Sequence, residues 1–106
     1  MTKVRIDPGI CGLMTSVEAT SEDEMEVKIN VASGCQSINK MFEILGNTFE
    51  SYELCLKKPG DGVFYEYARE NLPGHCACPV IAGIIKAVEV ECKLALPKNA
   101  TIEFGK

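Results

Sequence analysis

The sequence predicts an α+β fold, a two-layer sandwich in which a mostly antiparallel sheet of about four strands is covered on one face by about two to three helices, in the order β-β-β-α-(α)-α-β. Three observations predict it. Apolar and polar residues alternate through the first third of the chain. Apolar residues then recur at helical spacing from Ile38 to Leu45 and from Ile81 to Cys92. Alternation returns at Ala100, Ile102 and Phe104.

The elements follow in order. Val4 and Ile6 alternate with Lys3 and Arg5 until Asp7-Pro8-Gly9 breaks the pattern, because proline fixes φ and glycine supplies a positive φ. Alternation resumes from Leu13 through Thr15, Val17 and Ala19. After the polar turn Ser21-Glu22-Asp23-Glu24 it runs Met25, Val27, Ile29 and Val31, with Glu26, Lys28 and Asn30 on the other side. A hairpin with one buried and one wet face has this pattern. Ser33-Gly34-Cys35-Gln36 fits a capping box, with Ser33 as N-cap, and Ile38, Met41, Phe42 and Leu45 make the apolar stripe of the helix it opens. Gly46-Asn47 ends that helix.

Residues 48–60 fit neither period and are expected to form a short irregular or extended connection. Asp61-Gly62 opens a short helix that Leu72-Pro73-Gly74 stops, with Phe64, Tyr65 and Tyr67 expected to pack it rather than to line a pocket. The last helix is expected to have Cys78 as N-cap and Pro79 at its first position, where a missing N–H costs nothing. Ile81, Ile84, Ile85, Val88 and Cys92 form its stripe, and Pro97 closes it. Ala100, Ile102 and Phe104 are expected to form the final strand.

Composition narrows the function. With 106 residues the chain is expected to be a single domain, residues 1–106. Its 11 Lys and Arg against 15 Asp and Glu give a net charge of −4 and no basic stripe, which excludes nucleic acid as a partner. Glu18, Glu22, Asp23, Glu24 and Glu26 read as a solvated acidic face at the hairpin. No Gly-x-Gly-x-x-Gly or P-loop run is present to cradle phosphate. No apolar stretch approaches the ~18 residues of a membrane span, and the first residues lack a signal-peptide h-region. The expected location is therefore cytoplasmic, and Asn99-Ala100-Thr101 is a chance glycosylation match.

In a reducing compartment six cysteines are not a disulfide framework, and clustered thiols point to metal or redox chemistry. Cys92 falls on an apolar helical stripe and Cys55 lies between Leu54 and Leu56, so both read as core filler. Cys11 sits in a glycine-flanked turn. Cys35 and Cys78 stand at two helix starts, where free N–H groups and the helix dipole favour a thiolate. Strand alternation brings the first two of these places to one edge of the sheet, and a last helix antiparallel to the short helix before it would bring Cys78 to the same end, with His75 alongside. Cys11, Cys35, Cys78 and His75, with Cys76 as an alternative ligand, therefore suit zinc or an iron–sulfur cluster, which take soft ligands. Two other functions compete. One is a thiol-redox or sulfur-handling protein with Cys35 or Cys78 as nucleophile and Cys11 or Cys76 resolving it; the other is an interaction module with an unidentified protein partner and incidental thiols. The oligomeric state is open.

Pro8-Gly9-Ile10-Cys11-Gly12, Ser33-Gly34-Cys35, His75-Cys76-Ala77-Cys78-Pro79-Val80 and Leu94-Ala95-Leu96-Pro97 together resemble a small, functionally uncharacterised family of cysteine-containing domains from anaerobic bacteria and archaea. The resemblance spans nearly the whole chain and maps the family's recurring cysteine and histidine positions onto Cys11, Cys35, His75 and Cys78. Cys76 stands where that pattern has a small residue, and Ile81 where it has a second proline. The resemblance implies site residues and no activity.

Overall fold

A computed structural model describes residues 1–105. Strands β1 (Thr2–Ile6), β2 (Thr15–Thr20) and β3 (Glu26–Ser33) are followed by helix α1 (Gln36–Leu45), strand β4 (Thr48–Glu50) and helices α2 (Ser51–Cys55), α3 (Val63–Asn71) and α4 (Val80–Glu91). The sheet is an antiparallel meander in the order β1-β2-β3-β4. The α+β class expected from the alternation is the class observed.

Period two decides which side of the sheet is covered. Val4, Val17 and Val31 lie abreast, as do Ile6, Thr15 and Ser33, and this face meets the helices. Lys3, Glu18 and Asn30 line up on the other, open face. Helix α4 runs antiparallel to β1 along the covered face. Its Glu91 carboxylate reaches the start of β1 at the Thr2 hydroxyl (2.8 Å), and Gly83, nearer its other end, lies against Ile6 at the end of β1. A Cβ at Gly83 would stand 2.5 Å from Ile6 Cδ1, so glycine at this position sets how closely helix and sheet approach. Val80, Ile81, Ile84, Ala87 and Val88 are the buried stripe of α4. Across the core, the Phe42, Phe49 and Phe64 rings meet with centroids 5.1–6.1 Å apart, contacts worth about 1 kcal/mol each beyond simple burial.

Five expectations are corrected. The fourth strand is β4, within the stretch expected to be irregular: Gly46, at φ +85°, turns the chain back from α1 so that Phe49 pairs opposite Val27 and enters the core. Residues 96–105 carry no strand, although Ala100, Ile102 and Phe104 alternate, because no neighbouring strand accepts them. The N-cap of α1 is Cys35 rather than Ser33, which still belongs to β3. Ser33 Oγ accepts the Cys35 N–H (3.0 Å), and Asn39 binds the Ser33 backbone at both its N–H and its C=O. The N-cap of α4 is Pro79, so Cys78 lies one residue before the helix in a turn closed by its N–H on the His75 carbonyl (3.2 Å). The covering layer also has four helices, because residues 51–55 form α2. No helix among the described residues is long and apolar enough to cross a membrane.

Candidate thiol groove

Everything expected to carry chemistry emerges at one end of the sheet. Strand β1 ends at Ile6, which pairs with Thr15, which in turn pairs with Ser33, so the Cys11 turn and the start of α1 are neighbours by register. Gly34 fastens them: its N–H donates to the Met14 carbonyl (2.8 Å), and a Cβ there would stand 3.3 Å from Leu13 Cα. The approach of α4 to Ile6 carries the segment before α4 to the same end.

There Cys35, His75, Cys76 and Cys78 line one groove of about 660 Å³. Its remaining walls are mainly apolar, from Ile38 of α1, Tyr65 and Ala68 of α3, Leu72 at the C-cap of α3, and Ile81 of α4. Cys76, Cys78 and His75 are exposed, and Cys35 is half-buried. Arg69 also lines the groove, its guanidinium held by a hydrogen bond to the Gly60 carbonyl (3.0 Å). Burial pushes the Tyr65 phenol above its ordinary value.

The site residues expected from the sequence therefore divide. Cys35, Cys76, Cys78 and His75 share the groove. Cys11 is exposed in its turn at the same end of the sheet and is not part of the groove wall. The turn is built by Gly9 and Gly12, both at positive φ, with the Gly12 N–H on the Gly9 carbonyl (2.9 Å) and the Asp7 carboxylate accepting the Gly9 N–H (2.9 Å). Among the described residues, no three His, Cys, Asp or Glu side chains come close enough together to hold a metal ion. The donor set suits a soft metal, and its spacing here is that of a groove rather than a coordination sphere.

The other two cysteines sit in a different environment. Cys92 is buried, and that burial raises its thiol above the ordinary value. Cys55 packs between α2 and α4 with its sulfur 3.9 Å from the Ile85 carbonyl, and burial, reinforced by Glu89 and Cys92, pushes its thiol up to about 12. Both were read from the sequence as core filler, and their surroundings agree.

Tyr65 and Arg69 were not legible as groove residues. Tyr65 reads as helix packing, and Arg69, in the last turn of α3, belongs to no motif in the sequence. The one available signal was their position just before Leu72-Pro73-Gly74, the break that leads into the histidine and cysteine segment.

The fold and the groove define a small α+β domain that gathers exposed thiols and one imidazole at the end of an antiparallel sheet. The chain belongs to a family of unknown function (DUF6951), whose match covers residues 2–104. Membership in an uncharacterised family is what the resemblance implied. No match was found among the curated proteins or among the solved structures.

Proposed function

We propose that this domain binds a soft metal ion or an iron–sulfur cluster through ligands drawn from Cys35, Cys76, Cys78 and His75, with Cys11 entering from the neighbouring turn. The observation that carries this reading is the sharing of one groove by three thiols and the chain's sole histidine, while of the other three cysteines Cys55 and Cys92 pack against the core and Cys11 stays exposed. Thiolates bind zinc and iron far better than hard cations, and a reducing, cytoplasmic setting would keep them available. The same reading takes the cysteine turn and the two cysteine-bearing helix starts as features recurring in the family. Bound, the metal or cluster would supply a structural tie or an electron-transfer centre; the protein's part is to present the sulfurs at fixed helix starts.

The test is elemental and acid-labile sulfide analysis after purification without oxygen. The expected result is about one zinc, or one cluster's worth of iron and sulfide, per chain, lost in Cys35→Ser/Cys78→Ser while the far-ultraviolet circular dichroism is kept. A metal-free parent no more thermally stable than the double variant would falsify the reading.

A second reading, thiol-redox or sulfur-handling chemistry with Cys35 or Cys78 as nucleophile, is favoured by the size and the apolar walls of the groove, which exceed what a lone ion needs. It requires rapid alkylation of a groove cysteine near neutral pH in metal-free protein; slow labelling of all six thiols rules it out.

A further inference from the structure

Beyond Ala95 the chain leaves the body of the protein. Ala95 is the last residue of the closing turn of α4, its N–H on the Glu89 carbonyl (3.2 Å). After it Leu96, Ile102 and Phe104 are 89%, 84% and 98% exposed, and none of residues 96–105 makes a backbone hydrogen bond to the body among the described residues. The sequence of this arm is nonetheless that of a strand: Ala100, Ile102 and Phe104 fall on one side, Thr101 and Glu103 on the other.

The same structure has an open place for a strand. The order β1-β2-β3-β4 leaves β1 at an edge, its outer N–H and C=O groups unpaired. Strand β1 is five residues long, as is the alternating segment Ala100 to Phe104. It turns Thr2, Val4 and Ile6 to the helix-covered face and Lys3 and Arg5 to the open face. A strand added there with Ala100, Ile102 and Phe104 on the covered side extends the apolar layer, and places Glu103 on the side of Lys3 and Arg5. Side-chain alternation and charge both match in this one arrangement.

We propose that two copies of this chain exchange their arms, residues 96–104 of each adding a strand to the β1 edge of the other. The exchange is reciprocal, so one association buries both arms and blunts both exposed edges. A second copy is the occupant favoured because the isolated chain leaves its arm extended although its own β1 edge is free, and because the two surfaces that match belong to the same sequence.

The test is sedimentation of the full chain at about 100 µM, a concentration that populates even weak dimers, with amine cross-linking of an equal mixture of ¹⁴N- and ¹⁵N-labelled protein. The parent is expected to be a dimer and to give mixed-isotope cross-links between Lys3 and Lys98. Ile102→Lys/Phe104→Lys is expected to weaken the dimer at least about tenfold, with unchanged far-ultraviolet circular dichroism, since both residues are exposed and lie outside the core of the isolated chain. A monomeric parent, a dimer indifferent to the double substitution, or Lys3–Lys98 cross-links confined to single-isotope pairs overturns the proposal; the last result would put the arm on its own β1.

Discussion

At the C-terminal end of α4, Cys92 is buried, the adjacent Glu91 is tied to Thr2 and Ser21, and Cys55 packs beneath the helix. At its N-terminal end, Cys76 and Cys78 are exposed on a groove they share with Cys35 and His75. One helix thus has sulfur near both ends, in opposite environments. The difference lies in what each end packs against. The far end is pinned between two strands and α2. The near end is preceded by Pro73-Gly74, a break after α3 that is followed by no regular structure to bury its side chains. A cysteine count cannot distinguish these situations, whereas position relative to helix ends and breaks can.

The sharpest way to break this contrast is to measure thiol reactivity residue by residue in chelator-treated protein. A thiol pushed from 9.0 to about 12 has about a thousandfold less thiolate at neutral pH, so Cys55 is expected to alkylate about 10³-fold more slowly than a thiol at the ordinary value. Cys92 is expected to join it, and Cys11, Cys76 and Cys78 to label first. Mass-resolved iodoacetamide labelling checks this. Labelling of Cys55 together with the exposed set would erase the distinction between the two ends.

A second test acts where the closed part of α4 begins. Gly83 lets the helix lie against Ile6, and Gly83→Val puts branched carbon where Ile6 already stands. The expected cost is about 2 kcal/mol of stability from overpacking, after the small gain in helix propensity of valine over glycine, read by denaturant titration. Because Ile6 marks the groove end of β1, labelling of Cys35 should also rise. Unchanged stability would mean that Ile6 yields freely and that the close approach does not fix the groove.

Gly83 also shows how far the sequence could be read. In the apolar run before Val88 it looks like an interruption; its role depends on Ile6, 77 positions away in a strand whose pairing no local pattern reveals. The class and the first three strands were legible because period two is a local signal. The position of β4 was not, since a three-residue strand held by Phe49 opposite Val27 is too short to show a period. At Ala100, Ile102 and Phe104 the period was present without a neighbouring strand, so pattern alone overstated the structure. For the site, proximity to helix starts picked out Cys35, Cys78 and the adjoining His75 and Cys76. The groove's apolar walls come from three different helices and left no joint signature in the sequence.

The smallest expected effect concerns how the closed end is fastened. Burial by itself would raise the Glu91 carboxyl, but the Thr2 hydroxyl, the Ser21 N–H and the terminal ammonium of Met1 (3.5 Å) outweigh it and hold it below its ordinary 4.5. A depressed carboxyl stabilises the fold above about pH 4.5, its unfolded value, and that contribution is lost as the pH falls through the lower folded value. Glu91→Gln keeps the shape and removes the charge, so the variant is expected to be about 1 kcal/mol less stable at pH 7. The deficit should shrink below pH 4.5 as the parent carboxyl protonates. Paired denaturant titrations from neutral to acid pH measure the gap. If it is pH-independent, apolar packing around Cys92 and Val88 closes this end of α4 without help from the carboxylate, and the contrast with the thiol end rests on burial alone.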